Sequence, residues 1–357
     1  MTDLVYNAVE DEVRATVRQV LADRSPVSQV LARIEGGAAF DQDLWRVLTA
    51  EMGLAGMAVP ERLGGGGASL REAAVVLEEL GRGVAPAPYL SSAVVATAAL
   101  LASDEADLVA KLAVGQAIAV LAVPFATAPG SFTPTVSVVD GALHGDVRGM
   151  ADGLAADVLL VPTDAGLFAV DATAEGVVRS PVTSLDLTRP LADLALSGAH
   201  GRHVSSAGSV DRSLTVGAAL LASEQVGLAE WCLQTTVEYL KTRHQFGRAV
   251  GSYQALKHRL ADVWVELSQA RAVARYAAVC AAEDDPDLPV AASLAQAFCS
   301  PMAVKAAEEC VQLHGGIGFT WEHPAHLYLK RAKSAALAYG TADRHRQILA
   351  TLVDLPS

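Results

Sequence analysis

Positive charge and reactive sulfur are both scarce in this chain. Lys and Arg number 27 against 40 Asp and Glu, a formal charge of -13 with an isoelectric point near 5.1. Proteins that grip a nucleic-acid backbone concentrate basic residues on one face, so the deficit excludes that class while leaving a local anion site open. The four cysteines, Cys232, Cys280, Cys299 and Cys310, show no C-x-x-C spacing. Neither a metal cage nor a redox pair is expected, and a reduced, cytoplasmic compartment follows. No apolar run approaches the roughly 20 residues that span a bilayer, and the acidic amphipathic start "MTDLVYNAVEDEVRATVRQ" is unlike a signal peptide, so no membrane partner is expected. Internal repeats and low-complexity segments are lacking too.

The chain has 357 residues, 52% of them hydrophobic, enough for a substantial core and two or three structural units. Its periodicity changes twice. Residues 1–115 carry helix-period patterns, such as "SLREAAVVLEELGRG", where Ser69 offers an N-cap and Glu72 stands three residues on. A Pro- and Gly-dense loop is expected over residues 53–70. Over 116–205 the pattern becomes short and alternating, with hairpin signals at Asp140-Gly141 and around Gly166, which predicts an antiparallel sheet or small barrel. Residues 206–357 return to helical patterns, four of them long, and predict a four-helix bundle. The fold class is α+β, in the order helical, β, helical bundle.

Two stretches of the last region carry chemistry. In "RHQFGRAVGSYQALKHRLAD", residues 243–262, a helix ends at Arg243, Phe246 and Gly247 follow, and Gln254 and His258 stand one helical turn apart. In "QLHGGIGFTWEHP", residues 312–324, Gln312 and His314 precede the pair Gly315-Gly316, where a backbone can approach a ligand closely. Each stretch alone is explained by helix termination, and Arg243 alone by a cation favoured at a helix C-terminus. A third feature is "ALAYGTADRHRQILA", where Tyr339 precedes a helix break at Gly340-Thr341.

Together and in this order the motifs resemble the acyl-CoA dehydrogenase family, over essentially the whole chain. "LWRVLTAEMGLAGMAVPERLGGGGASLREAAVVLEELGRGVAPAPYL" is similar to that family's N-terminal helical domain and "DGALHGDVRGMADGLAADVLLVP" to its middle β-domain. The resemblance implies FAD bound across a subunit interface. Arg243 would face the flavin pyrophosphate of a neighbouring subunit with Gln245 and Phe246 beside it. Gln254 would lie near the adenine half, Gln312, Gly315 and Gly316 would line the adenosine and phosphates, and Thr341 would donate a hydroxyl contact. His258 and His314 are expected to pack or support rather than catalyse.

The family reaction is α,β-desaturation of an acyl-CoA thioester. A carboxylate removes the α-proton while a hydride leaves the β-carbon for the flavin. The resemblance places that carboxylate immediately before the Gly-Thr turn, where this chain has Tyr339, or on the first helix of the bundle, where it has Gly217 beside Ala218. A free phenol titrates near 10, leaving about one in a thousand ionised at neutral pH, which makes tyrosine a poor base. Glu224 and Glu230 on the same helix are expected to be surface or interface charges. The middle domain keeps only fragments of the flavin-ring motif, Thr127 and Gly130-Ser131, and no tryptophan stands between Trp45 and Trp231.

These features resemble the non-catalytic β-type subunit of actinobacterial α2β2 acyl-CoA dehydrogenases of sterol and related lipid catabolism. A homologous catalytic partner would hold most of the FAD and the acyl-CoA. Two alternatives stand beside this expectation. One is a self-sufficient homo-oligomeric dehydrogenase with its base relocated to Asp343 or Glu224; the other is a flavin-free assembly subunit.

Overall fold

A computed structural model describes residues 4–101, 103, 105–206 and 208–354. Helices come first: α1 (Ala8–Arg24), α2 (Val27–Glu35), α3 (Gln42–Arg46), α4 (Leu70–Arg82), α5 (Thr97–Leu100) and α6 (Ala106–Ala113). The start of the amphipathic N-terminal stretch, residues 1–3, lies outside the described residues. Two capping boxes fix helix starts. Asn7 and Glu10 close α1, and Ser69 and Glu72 close α4 as the sequence pattern predicts, each pairing side chains with otherwise orphaned backbone N–H groups. The loop over 53–70 is irregular apart from two single 3₁₀ turns, Leu54–Gly56 and Glu61–Leu63.

The strands are β1 (Ala119–Leu121), β2 (Val136–Val139), β3 (Ala142–Ala151), β4 (Val158–Thr163), β5 (Gly166–Asp171), β6 (Val177–Val182), β7 (Leu191–Ala199) and β8 (Arg202–Ser205). They form one sheet in the order β6-β7-β3-β2-β4-β5-β8, with β1 added alongside β4. The sheet is mixed, since β1 and β2 run parallel to β4 while the hairpins supply antiparallel pairs. Asp140 and Gly141 both adopt positive φ, 51° and 79°, the left-handed turn the Asp-Gly pair predicts between β2 and β3. An irregularity in β3 between Val147 and Met150 leaves the Gly149 carbonyl free to accept the Phe125 N–H at 3.0 Å. That bond aims Phe125 at the C-terminal helices.

Those helices are α7 (Gly208–Thr242), α8 (Gln254–Ala282), α9 (Leu288–His314), α10 (Ala325–Ala335) and α11 (Ala342–Leu352). The predicted fourth helix, over 323–339, is the short α10, and the predicted break follows it: Tyr339 and Gly340 both take positive φ, 53° and 103°, so no α-helical hydrogen-bond ladder runs on into α11. Thr341 then caps α11 by accepting the Arg344 N–H. The long helix α7 is buried along most of its length, packed on α4, α8 and α9. Gly81 and Gly227 let α4 and α7 cross in backbone contact: a Cβ on Gly227 would lie 1.7 Å from the Glu78 carbonyl oxygen, and one on Gly81 2.1 Å from that of Glu224.

Candidate functional site

Between α7 and α8 the chain runs out into a two-strand arm, β9 (His244–Gln245) and β10 (Arg248–Ala249). Phe246 and Gly247, both at positive φ, form its tip. From Lys241 to His258 there are four permanent cations, Lys241, Arg243, Arg248 and Lys257, and no acid, in a chain whose charge is -13. Arg248 stacks on the Tyr253 ring at 3.7 Å, tying the arm back to the start of α8. The Arg243 guanidinium makes no hydrogen bond or ion pair among the described residues, and Phe246 is 93% exposed. The arm thus presents a guanidinium and an aromatic ring to solvent.

The predicted residues fall in adjoining segments. Arg243, Gln245 and Phe246 lie on the arm and Gln254 opens α8; Gln312, Gly315 and Gly316 close α9, all of them exposed. His314 joins the two ends, stacking on Tyr239 of α7 at 4.4 Å one turn before the arm begins. It is buried, as expected of a packing residue, and its Nδ1–H donates to the Cys310 carbonyl at 2.7 Å. His258 is exposed on α8. Around Gly315 and Gly316 an added Cβ would meet nothing within 4 Å, so open space lies over this backbone. Thr341 stands apart from the arm, exposed on the turn that carries Tyr339.

That turn is closed. Tyr339 is 5% exposed, donates its backbone N–H to the Phe125 carbonyl at 2.8 Å and receives the His345 Nε2–H on its own carbonyl at 2.9 Å. Its ring meets Phe125 edge-on at 5.5 Å. Gly217 lies directly against it: a Cβ there would fall 3.0 Å from Tyr339 Cζ and 2.8 Å from Val95 Cγ2. The two positions at which the resemblance places a carboxylate therefore face each other, and the tyrosine ring fills the space between them. Burial pushes the phenol well above its ordinary range, with Arg189 opposing, so the group stays neutral.

Beneath this turn lies a charge cluster that periodicity did not reveal. Glu224, expected at the surface or an interface, is 1% exposed, because α7 is packed on most of its faces. Its carboxylate accepts from Arg189 Nη2 at 2.5 Å and from Arg331 Nε at 2.8 Å, and Arg331 also reaches Asp186 at 3.6 Å and donates to Thr188 Oγ1 at 3.0 Å. Burial alone would raise the Glu224 carboxyl, but the two guanidinium groups outweigh it and hold the group at about 2. Nearby Asp152 accepts the Ser91 hydroxyl at 2.6 Å and is pushed upward by burial, against the pull of Arg189. The only sequence signal for this cluster was charge inside otherwise apolar helix and strand patterns, which does not say which charges meet. Asp343 lies on the outer face of α11, paired with Arg346. All four cysteines are free and buried, and among the described residues no cluster of His, Cys, Asp and Glu could hold a metal.

Residues 7–107 match the family described as "Acyl-CoA dehydrogenase, N-terminal domain" and residues 208–353 the "Acyl-CoA dehydrogenase, C-terminal domain". Among curated proteins, "Acyl-CoA dehydrogenase IpdE2" of Mycobacterium tuberculosis is 38% identical over 91% of each chain. "Acyl-CoA dehydrogenase FadE34" of the same organism is 35% identical over 91% of this chain but only 45% of its own length. Among solved structures, a "Tcur3481-Tcur3483 steroid ACAD G363A variant" superposes with a TM-score of 0.87 at 31% identity over 97% of this chain and 98% of that one. The "ChsE4-ChsE5 complex from Mycobacterium tuberculosis" superposes with 0.88 at 28% identity over the whole of both chains. With its helical, β and helical regions in that family's arrangement, this chain belongs to the acyl-CoA dehydrogenase family, FAD-binding oxidoreductases, and to its actinobacterial type.

Proposed function

We propose that this chain is the non-catalytic subunit of a hetero-oligomeric acyl-CoA dehydrogenase, completing the FAD site of a homologous catalytic partner. One observation carries the reading: the Tyr339 ring fills the space between both base positions, while the acid-free arm and the Gly315-Gly316 backbone stand open to solvent. The exposed residues fit a dinucleotide. Arg243 supplies charge-assisted donors for a diphosphate, the two glycines admit its close approach, and Phe246 and Gln254 offer a flat face and an amide toward the adenosine. Thr341 keeps a hydroxyl hydrogen to donate while its oxygen caps α11. When bound, the flavin accepts the hydride; this chain's part is to hold its polar half and exclude water from it. The two-chain complexes named among the structural relatives support a heteromeric partner, and FadE34 supports it further, because that longer chain leaves room for a second unit of this size.

Relocation of the base is less favoured. Glu224 is locked between two guanidinium groups, and Asp343 faces outward in an ion pair, away from the Tyr339 turn. A flavin-free scaffold would leave the unpaired Arg243 and the basic arm without a use.

Expressed alone, the chain is expected to purify with well under one tenth of an equivalent of flavin, and co-expression with its catalytic partner to bring the complex to full occupancy. Within that complex, Arg243→Gln should lower flavin retention about tenfold or more, the loss of a charge-assisted contact, while Tyr339→Phe leaves turnover unchanged. A yellow, active homo-oligomer from this chain alone would overturn the reading. So would a Tyr339→Phe complex that keeps its flavin and loses turnover.

A further inference from the structure

A groove opens at the root of the arm. The short connection over residues 243–253 turns the chain back on itself, so the end of α7 and the start of α8 run antiparallel as neighbours. Between them lies a recess of about 620 Å³, within the range of small-molecule sites. Leu233, Val237 and Leu240 of α7 and Leu260 and Trp264 of α8 line it. Followed along α7 from Leu233 to Lys241 at the rise of an α-helix, it is about 12 Å long.

The two ends of the groove differ chemically. Trp264 stands at the end away from the arm, 59% exposed, with Ala261 exposed one turn before it. The core face of α8 here is Val263, Leu267 and Ala270, so Trp264 and Ala261 form a second apolar face turned to solvent. Lys241 and Lys257 stand at the end next to the arm, both exposed and both lining the recess. Lys241 is one residue from the end of α7 and Lys257 three residues from the start of α8, and the antiparallel course brings them to the same end. Among the described residues the Lys257 ammonium has neither a hydrogen bond nor an ion pair. Lys241 pairs with Glu238 at 2.7 Å, an exposed contact within one helix that a competing carboxylate can replace at little cost. No acid occurs in the sequence from Tyr239 to Ala261.

We propose that this groove binds an amphiphilic monocarboxylate with a chain of about ten carbons, its carboxylate at Lys257 and Lys241 and its chain laid past Val237 and Leu260 toward Trp264. Charge complementarity selects the head group, because Lys257 is an accessible cation with no acid of its own. The apolar lining selects the tail, since methylene groups laid along it leave water, and the lysine stems cover the same surface while their ammonium groups stay solvated. The inference does not rest on the chain's role toward flavin.

The test is calorimetric titration of the purified full chain with decanoate, octanoate and decyltrimethylammonium, each kept below its micellar range. Decanoate is expected to saturate with a Kd of about 1 mM or tighter, and octanoate to bind about tenfold more weakly for the two methylenes it lacks. The cation of equal chain length should also bind about tenfold more weakly or worse. Lys257→Gln should weaken decanoate about fivefold without weakening the cation, and Ala261→Trp, at an exposed position in the groove, should block both. Absence of saturation up to roughly 10 mM, equal binding of anion and cation, or indifference to both groove variants would overturn the proposal. A larger loss in Arg243→Gln than in Lys257→Gln would overturn it too, by placing the anion on the arm. Decanoate that dissociates an assembly, whether of copies of this chain or with a partner, would overturn it as well, by giving the groove to that interface.

Discussion

Glu224→Gln should lower unfolding stability by about 3–5 kcal/mol, the loss characteristic of breaking a buried ion pair by removing one partner. The substitution preserves shape, so the effect is electrostatic. It leaves Arg189 and Arg331 with only Asp186 and Asp152 as nearby acids, and Arg189 Nη1 lacks a hydrogen-bond partner even in the intact protein. An amide can accept one of the two bonds but supplies no charge. The cluster joins the loop before β7 to α7 and α10, so its loss should loosen the β-region from the helices rather than fray a surface. Urea unfolding followed by circular dichroism, with Glu238→Gln as control, measures this. Glu238 pairs with Lys241 in solvent, and its loss should change stability by less than about 0.5 kcal/mol. Similar midpoints for the two variants would refute the assignment.

The same cluster sets a pH dependence. An ordinary glutamate titrates near 4.5 and Glu224 in the fold at about 2, so its charge stabilises the fold fully above pH 4.5. That stabilisation, about 3 kcal/mol, is lost as pH falls from 4.5 toward 2. Asp152, raised by burial, works in the opposite sense: it favours the fold below its unfolded value and gives that up as pH rises from there through its higher value in the fold. The Glu224→Gln protein should therefore show a flatter acid limb than the parent. An equally steep limb in both would assign acid unfolding to other carboxylates.

Gly227→Ala should be more disruptive than its single methyl suggests, by about 3 kcal/mol or more. Alanine is the better helix former by about 1 kcal/mol, so propensity alone predicts stabilisation. Against that, the new Cβ would sit 1.7 Å from the Glu78 oxygen and 3.1 Å from the Arg82 nitrogen, both backbone atoms that no rotamer change can move aside. Relief requires α4 and α7 to separate, which pulls Glu78 and Glu79 from the Arg14 and Arg18 side chains of α1. Gly316→Ala is the contrast, since nothing lies within 4 Å of its added methyl and stability should hold. If Gly227→Ala unfolds at the parent's urea midpoint, the close crossing does not limit stability.

Local sequence went a long way here. Ser69 and Glu72 announced the start of α4, Asp140-Gly141 the hairpin between β2 and β3, and Tyr339-Gly340-Thr341 the break before α11, because each signal acts within a few residues of itself. The motifs around Arg243 and Gln312 fall on outward-facing segments, since their glycines and polar residues have no use in a helix interior. Glu224 was misread for the opposite reason. Helix period tells which residues share a face, and α7 is covered on most of its faces, so its one buried acid looks like any surface glutamate until Arg189 and Arg331 arrive from residues 35 and 107 positions away.

The sequence by itself determined the order of helical and β regions, the family, and the lack of a carboxylate at Tyr339 and Gly217. Only the tertiary structure decided that those two positions touch and that the tyrosine ring occupies the space between them. It also decided that α7 threads through the core with a charged residue neutralised inside it. Residues far apart in sequence meet only through packing, and what each does is set by the partner that packing brings.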